Sequence, residues 1–352
     1  MSGITRVGVD LAKRLIQVHG VDATGRALTT RAISRGKFLA WCGQLPPGCV
    51  VAMQACSGAH HWARQLAAIG LVPRLIAPHF VEPYRMQGKT GKNDAADAAA
   101  VCEAASRPTM RFVPVKSCEQ QGVMTLHRLR EGYKEERNAC INRIRGLVAE
   151  FGVVFAKGPK ALREALPEVL EDASKELTGL ARLSLQRALD HWLALDTEIA
   201  WCDARILEHV RADEQAASAA RIQGIGPIGA SAMSAGVGDF KQFRSAHQFA
   251  AWLGVVPRQH SSGGKTVLGS ITRRGDDYLR TLLIQGARSA VSAAPRRSDP
   301  ISRWIVQLQQ RIGWQKTLVA VANKNARILW AVLAKGRDYD PLHMPAKPLA
   351  PA

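Results

Sequence analysis

Three aspartates are the residues of this chain best suited to chemistry on a phosphate. Asp10 ends a short apolar strand predicted at 5–10, and Asp94 and Asp97 lie three residues apart on a predicted helix, where they share one face. Carboxylates from a strand end and a nearby helix can bridge two hard cations about 4 Å apart, an arrangement that cleaves phosphodiesters. The three aspartates are therefore candidate ligands of Mg²⁺, for which Mn²⁺ can substitute. Alternatively, Asp94 and Asp97 only stabilise the positive end of the helix dipole.

A serine in a polar, glycine-rich segment is the candidate nucleophile. Ser262 lies in the run 259–265, Gln-His-Ser-Ser-Gly-Gly-Lys, where two glycines allow close approach to a nucleic acid. Cations stabilise the charge that develops on a phosphate under attack, and four flank this run: Arg258, Lys265, Arg273 and Arg274. Serine needs a base or a metal for activation, which the aspartate cluster could supply. An ordinary flexible loop would have the same composition.

The elements that position the aspartates form an α/β domain. Short apolar runs at 5–10, 15–20, 27–32, 49–53 and 71–76 predict strands, and helices are expected at 37–44, at 60–68 and from Asn93, a good N-cap. Three strands in hairpin order followed by helix–strand alternation favour a mixed-sheet, ribonuclease-H-like domain. A Rossmann domain would instead begin with a glycine-rich strand-to-helix turn, which is missing. The polar run 87–92 is predicted to be a mobile loop.

Long helices dominate from residue 117 onward. One apolar stripe runs from Val123 to Phe151 through Leu126, Leu129 and Tyr133, and a second helix carries heptad-spaced apolar residues over 185–210. This pattern predicts a helical, coiled-coil hairpin that serves as a spacer or a dimerisation element, although Asp196 and Asp203 interrupt its apolar seam. An ordinary helical core is also compatible with it.

A glycine-rich turn opens the C-terminal part. Gly224 and Gly226 precede a small-residue helix, as in a helix-hairpin-helix element, whose backbone N–H groups can hold a DNA phosphate. A tight structural turn would look similar. Helices at 278–290, 301–312 and 317–333 follow, and the proline-rich tail is expected to be unstructured. The fold prediction is thus α/β plus α, with domains at 1–110, 111–218 and 219–340 and a tail at 341–352.

Charge indicates a polyanionic partner. The 352 residues include 48 Lys and Arg against 29 Asp and Glu, a net charge of +19, and binding to phosphates releases counterions. A basic helix face either is simply solvated or contacts a DNA or RNA backbone: Arg128, Arg130, Lys134, Arg137, Arg143 and Arg145. Neither an apolar run of about 18 residues nor an N-terminal apolar leader is present, which argues against a membrane protein. Seven scattered cysteines without a CxxC pair indicate buried thiols in a reducing compartment, so a cytoplasmic, nucleoid-associated protein is expected.

The order of several motifs resembles one protein family. The motifs are Gly8–Lys13, Lys92–Asp97, Phe112–Lys116, Gly224–Pro227, Pro257–Lys265 and Ala322–Arg327. Together they resemble the "one-ten" family of insertion-sequence transposases, in particular its "eleven-eleven" subgroup, over about residues 5 to 335. The resemblance implies a RuvC-like domain with an Asp-Glu-Asp-Asp metal site and a C-terminal domain whose serine becomes linked to DNA. It also implies a structured guide RNA, donor and target DNA, and a homo-oligomer, dimer or tetramer. The nucleophile would be Ser262, with Ser261 as the fallback.

One position departs from that family's pattern. The family's glutamate at the end of the fourth strand is Gln54 here, and an amide oxygen brings no negative charge to a cation. Either this chain cleaves poorly, or the substitution was introduced to trap substrate, or three aspartates suffice. Two alternatives to the transposase therefore stay open: a RuvC-like junction nuclease without a covalent intermediate, and a non-catalytic nucleic-acid-binding derivative.

Overall fold

The computed structural model describes residues 1, 3–85 and 93–342, which fall into two units, Met1–Cys118 and Glu119–Ala352. The mobile loop expected at 87–92 lies outside the described residues, as does all of the expected tail beyond residue 342. The predicted boundary between a spacer and a C-terminal domain at 218/219 remains a prediction.

A six-stranded mixed sheet forms the first unit. Its strands have the order β3-β2-β1-β4-β5-β6, in which β1, β2 and β3 are antiparallel neighbours, β4 and β5 continue parallel to β1, and β6 closes the edge antiparallel to β5. The α/β prediction is confirmed at this level. In chain order the elements are β1 (Arg6–Leu11), β2 (Leu15–Val21), β3 (Ala27–Ser34), α1 (Phe38–Cys42), β4 (Val50–Gln54), α2 (Ala59–Ala68), β5 (Val72–Ile76), α3 (Pro78–Val81), α4 (Asp94–Ala104) and β6 (Phe112–Val113).

Helices cover both faces of this sheet. Val7 and Val9 of β1 pack with Phe38 of α1 and Trp62 of α2 on one face. Successive side chains of a strand point to opposite faces, so Gly8, between the two valines, points to the other face, where α4 lies. Side chains that follow Gly8 with a period of two therefore lie on the α4 side.

Helices make up most of the second unit. Its elements are α5 (Cys118–Ala149), α6 (Pro159–Glu171), α7 (Gly179–Ala212), α8 (Glu214–Ala220), α9 (Pro227–Val237), α10 (Ala246–Trp252), β7 (Pro257–Ser262), β8 (Lys265–Ile271), α11 (Asp277–Ala293), α12 (Pro300–Ile312) and α13 (Trp314–Lys335). Two hydrophobic clusters support them: one joins α5, α6 and α7, and the other joins α8 to α13. In the part of the chain that is described, no helix is both long and apolar enough to cross a membrane.

Ion pairs fix α5 against α7 in an antiparallel register. Arg130 Nε lies 2.5 Å from Asp203 Oδ1, and Arg137 Nη1 lies 3.2 Å from Asp196 Oδ1. The arginines are seven residues apart on α5, and their partners are seven apart on α7 in the reverse order. The apolar stripe expected on α5 is therefore wrong in its first half, where Leu129 is 47% exposed and Arg130 is buried. The face of α5 that is buried is decided by its partners on α7. The apolar periodicity of α5 alone cannot reveal those partners.

A buried polar network joins four helices of this unit. His127 of α5 is fully buried, with Nδ1 2.9 Å from the Tyr278 hydroxyl of α11 and Nε2 2.9 Å from Ser231 Oγ of α9. Ser231 also meets His209 Nδ1 of α7 at 3.0 Å. Burial lowers the pKa of His127 to about 4, so its imidazole is neutral near pH 7. A neutral imidazole can donate from one ring nitrogen and accept at the other, so it can serve both neighbours.

Candidate active site

Neighbouring strand ends place Asp10 and Gln54 side by side. Strands β1 and β4 are parallel and in register up to the pair Val9 and Met53, and Asp10 and Gln54 are the next residues on each strand. Asp10 lies two residues beyond Gly8. Gln54 lies two residues beyond Ala52, which packs with residues of α4. Both side chains therefore point to the sheet face that α4 covers.

Close packing of α4 on β1 depends on Gly8. A Cβ atom on Gly8 would lie 2.1 Å from the carbonyl oxygen of Ala98 and 2.5 Å from the amide nitrogen of Cys102. Only a residue without a side chain allows the helix backbone to approach so closely. This contact brings the first turn of α4, which carries Asp94 and Asp97, to the same sheet face as Asp10.

The first turn of α4 carries one exposed and one buried aspartate. Asn93 Oδ1 accepts a hydrogen bond from the Ala96 amide at 2.8 Å, as the sequence predicted for an N-cap. Asp94 is exposed, whereas Asp97 is 5% exposed. Arg85, which the sequence did not single out, places Nε 2.7 Å from Asp97 Oδ1, and the contact is an ion pair without the alignment of a hydrogen bond. A cation thus already occupies one side of the buried carboxylate.

The donor set of this region suits a hard divalent cation. Three carboxylates and one amide supply the oxygen ligands that Mg²⁺ and Mn²⁺ prefer. Gln54 Nε2 is buried, and within the described ranges it has no hydrogen-bond partner. No group of three or more His, Cys, Asp or Glu side chains in residues 1, 3–85 and 93–342 converges closely enough to hold a metal ion. The residue types and their shared sheet face fit the expected site, whereas the Arg85 ion pair takes the place of a cation at Asp97.

The candidate serine lies on a β-hairpin. Strands β7 and β8 pair directly, and Ser262 faces Lys265 across a two-residue turn of Gly263 (φ 55°) and Gly264 (φ 77°). Positive φ at both central residues is typical of the type I′ turn, whose twist matches paired strands. The segment is therefore a strand pair, and the ordinary loop that was the alternative interpretation of its composition is wrong. Two glycines between strand-forming residues are a recognised hairpin signal, and that signal was present in the sequence.

Strand alternation separates the two serines. Ser262 lies on one face of the hairpin with Lys265, whereas Ser261 lies on the other, where its Oγ accepts a hydrogen bond from Gln259 Nε2 at 2.8 Å. His260 is two residues from Ser262 and shares its face. All five side chains are exposed.

The base of this hairpin is tightly held. A Cβ on Gly254 (φ +74°) would lie 2.1 Å from the Arg274 carbonyl oxygen, and a Cβ on Gly275 (φ +102°) would lie 2.0 Å from that of Trp252. Arg273 has a φ of 55°, the one positive value among the described residues other than glycine. Buried Arg280 donates to the Leu253 carbonyl at 3.3 Å. The exposed strands β7 and β8 thus extend from a tightly packed base. The role of Arg280 was not predicted from the sequence.

Basic residues lie on and around the β7–β8 hairpin. Arg258, Lys265, Arg273 and Arg274 are all exposed, and the chain has no acidic residue between Asp239 and Asp276. This stretch can therefore approach a polyanion without local charge repulsion.

The two glycines of the predicted phosphate-binding turn have different surroundings. Gly224 (φ +85°) packs against backbone, since its Cβ would lie 2.9 Å from the Gly286 carbonyl oxygen. A Cβ on Gly226 would meet nothing within 4 Å. Gly226 is the N-cap of α9, and Pro227 follows as its first residue. Gly224 thus has a structural role, and Gly226 is the residue with space for a ligand.

Comparison with known proteins identifies the family. Residues 216–301 match the model described as "Transposase IS116/IS110/IS902 family", and residues 7–152 match the DEDD transposase model of the IS110 type. A "Probable family 20 transposase" of Pseudomonas aeruginosa is 48% identical over 96% of this chain and 99% of its own length. The chain belongs to the IS116/IS110/IS902 family of transposases.

Two further relatives carry names of insertion sequences. The "Transposase for insertion sequence element IS1111A" of Coxiella burnetii is 40% identical over 96% of this chain and 92% of its own. The "Transposase for insertion sequence element IS1328" of Yersinia enterocolitica is 36% identical over 96% and 99%. The resemblance inferred from the motifs is thereby confirmed.

The two matched regions of this family member contain the two candidate sites. The DEDD transposase match includes Asp10, Gln54, Asp94 and Asp97, and the second match includes Ser262. Helices α6 and α7 lie between the matched regions.

Several basic residues of α5 are engaged within the protein. Arg137 pairs with Asp196, and Arg145 donates to the carbonyl of Ala156 at 2.9 Å. Arg143, by contrast, is exposed. Arg143 is therefore better placed than Arg137 to contact a nucleic acid.

Proposed function

We propose that this chain is a DNA transposase, a site-specific recombinase of an insertion sequence, that cleaves and rejoins DNA through a covalent bond between Ser262 and a phosphodiester. The observation that carries the proposal is the exposed hydroxyl at the tip of a rigidly based hairpin, directly across the strand pair from Lys265. A nucleophile for a bulky polymer has to project from the surface, and pre-organised cations stabilise the charge that develops on the phosphate.

The covalent step conserves phosphodiester bonds. Ser262 Oγ forms a bond to phosphorus, and the bond from phosphorus to one deoxyribose oxygen breaks. The hydroxyl proton passes to a carboxylate of the acidic region, in this or a neighbouring chain, and the departing oxygen takes up a proton. Rejoining reverses these events with a new deoxyribose oxygen. Because one phosphorus–oxygen ester bond replaces another, strand exchange needs no outside energy.

The first unit is proposed to be a RuvC-like domain of the ribonuclease-H type. Its strand order, with three antiparallel strands followed by two parallel ones, supports this assignment. Asp10, Asp94 and Asp97 would hold Mg²⁺ or Mn²⁺, which when bound would favour the ionised hydroxyl and offset the negative charge of the phosphate. Asp10 and Gln54 orient the strand-end side of the site, and α4 orients the other.

Gln54 is proposed to weaken this site. Resemblance places a glutamate there, and the amide in its place removes one negative charge from the cation ligands. Nucleic-acid binding should be unaffected, because the basic hairpin is a separate element, but cleavage should be poor. The rival reading, a non-catalytic binding protein, is favoured by the same residue and predicts no cleavage at any Mg²⁺ or Mn²⁺ concentration.

Donor and target DNA, together with a structured guide RNA, are the proposed partners. The net charge of +19, the acid-free hairpin region, the open Gly226 turn and exposed Arg143 support contact with nucleic-acid backbones. We also propose that a homo-oligomer, a dimer or a tetramer, supplies the acidic region and the serine to one phosphate, with α5 and α7 as a spacer or a dimerisation element.

Serine substitutions test the proposal. The substrate is a plasmid that carries the gene of this chain with its flanking DNA, and the readout is protein covalently attached to DNA. Each serine variant is made in the Gln54→Glu background, in which cleavage should be stronger. Ser262→Ala should abolish the attachment, whereas Ser270→Ala, a matched change at an exposed position of β8, should keep it. Loss in Ser261→Ala alone would move the nucleophile by one residue. Unchanged cleavage in Ser262→Ala without any attachment would instead establish a nuclease that uses water.

A further inference from the structure

Helix α13 carries two asparagines whose side chains are bonded to distant backbone carbonyls. Asn323 Nδ2 donates to the Val255 carbonyl at 3.1 Å, and Asn325 Nδ2 donates to the Gln223 carbonyl at 2.9 Å. Asn325 is 2% exposed, and Asn323 is half-buried. A buried amide is costly unless it is hydrogen-bonded, so these side chains are suited to holding the two carbonyls.

Asn323 acts at the base of the serine hairpin. Val255 lies between α10 and β7, next to the positions where the two ends of the hairpin join: the Val256 carbonyl accepts from the Thr272 amide at 2.9 Å, and the Gly254 carbonyl accepts from the Arg273 amide at 3.1 Å. Asn323 therefore fixes the chain within two residues of the start of β7.

Asn325 acts at the glycine turn. Gln223 directly precedes Gly224, and a Cβ at Gly224 would lie 2.9 Å from Asn325 Nδ2. The same turn leads to Gly226, the open N-cap of α9. Asn325 therefore holds the turn at Gln223 and Gly224, next to the open position at Gly226.

Helix geometry places the two held elements on different sides of α13. Residues two apart on an α-helix are rotated by about 200° and separated by about 3 Å along the axis. The helix cannot shift easily, because Val321, Ala322 and Ala326 are buried in the C-terminal core. The hairpin and the turn are thus held by one rigid support.

We propose that Asn323 and Asn325 are positioning residues that hold the serine hairpin and the glycine turn at a fixed separation, so that the backbone contact proposed above for the turn sets which phosphate meets Ser262. The inference rests on the proposed function. It assigns a role to the motif 322–327, which the family resemblance left without one.

The test combines three readouts on the full-length chain. Asn323→Ala is compared with Asn138→Ala, the same change at an exposed position of helix α5. Hydrogen exchange is followed over residues 254–275, and affinity is measured with a labelled duplex of the flanking DNA. The rate of Ser262–DNA attachment is measured in the Gln54→Glu background on the plasmid described above. If Asn323→Ala does not fold, Asn323→Ser, which keeps a shorter donor, takes its place.

A positioning role predicts a split between binding and chemistry. Exchange should rise in the hairpin, duplex affinity should stay at the level of Asn138→Ala, and attachment should slow by about 10²-fold, the cost of misplacing a reactive group by about 1 Å. Unchanged exchange, or attachment as fast as in the control, overturns the inference. Parallel loss of affinity and attachment also overturns it, because that pattern marks general destabilisation. Absence of any Ser262 attachment in the unmodified and Gln54→Glu chains would instead overturn the proposed function, and hairpin exchange would still decide the role of Asn323.

Discussion

Gly8→Ala should separate α4 from the sheet and thereby disturb the acidic site. The added Cβ would lie 2.1 Å from the Ala98 carbonyl oxygen, 2.5 Å from the Cys102 amide nitrogen and 2.6 Å from the Cys102 Cβ. Real Cβ contacts essentially never fall below 3.0 Å, and none of these three atoms belongs to the movable end of a side chain. The helix must therefore move by about 0.9 Å or more. Overpacking of this kind costs about 1–3 kcal/mol in the free energy of unfolding.

Thermal unfolding and hydrogen exchange measure this effect. A loss of about 1–3 kcal/mol should lower the melting temperature by roughly 4–12 °C in a unit of this size. Amide exchange in α4 should rise, and stabilisation by added Mn²⁺ should fall, because Asp94 and Asp97 move with the helix. Gly36→Ala is the matched control, since a Cβ at Gly36 meets nothing within 4 Å. A Gly8→Ala protein with the melting temperature and α4 protection of the control would refute this account of the packing.

Four further changes test other parts of the structure. Gln54→Glu adds a negative charge among the proposed ligands, so it should tighten Mn²⁺ binding in a calorimetric titration and raise strand exchange. Arg85→Gln removes the cation beside Asp97 and should also tighten Mn²⁺ binding, because the ion no longer has to displace a guanidinium. Arg143→Ala should reduce the salt dependence of DNA binding by about 0.9 in the slope of log K against log salt if the side chain contacts one phosphate of a duplex. Burial holds the pKa of His127 at about 4, below its unfolded value of 6.5, so the unfolded chain binds the extra proton between these values. This residue should therefore lower stability by about 3 kcal/mol as the pH drops from 6.5 to 4, and His127→Gln should remove that contribution.

Controls make these outcomes decisive. Equal Mn²⁺ affinity and equal strand exchange in the Gln54→Glu and unmodified chains would show that Gln54 does not weaken the site. Arg85→Gln that binds Mn²⁺ no better than the unmodified chain would mean that the ion pair does not compete with a metal. Arg137→Ala serves as the comparison for Arg143→Ala. Because Arg137 is paired with Asp196, its loss should lower stability and change the salt slope little. An unaltered slope in Arg143→Ala would contradict the assignment of Arg143. Stability that falls between pH 6.5 and 4 as steeply in His127→Gln as in the unmodified chain would contradict the assignment of His127.

Local rules were sufficient for much of the first unit. Strand alternation and the Asn93 cap are properties of short segments, and both match the structure. The sheet order follows because antiparallel hairpins form between neighbouring strands, whereas parallel strands need a crossover. The placement of Asp10 on the α4 face also follows from the period of two.

Long-range contacts account for what the sequence did not reveal. Arg130 is buried on α5 because Asp203 lies opposite on α7, 73 residues away. Arg85, which lies outside every predicted strand, pairs with Asp97. Asn323 donates to the Val255 carbonyl, 68 residues earlier in the chain. Such partners are set by tertiary packing, which outweighs local pattern. The hairpin at 257–271 was a different failure, since its Gly-Gly turn was visible but its exposed, polar strands lacked the apolar alternation that marks a buried sheet.

The central claim is that the aspartates of the first unit and the serine of the hairpin act on the same phosphate. A structure of the full-length chain assembled on DNA, with Mn²⁺ present and the Gln54→Glu change in place, tests it most directly. The account predicts that in at least one copy Ser262 Oγ and a phosphate oxygen lie within the ligand sphere of the ion held by Asp10, Asp94 and Asp97 of the same or a neighbouring chain. An assembly in which both Ser262 and Ser261 lie far from every such acidic cluster would contradict it.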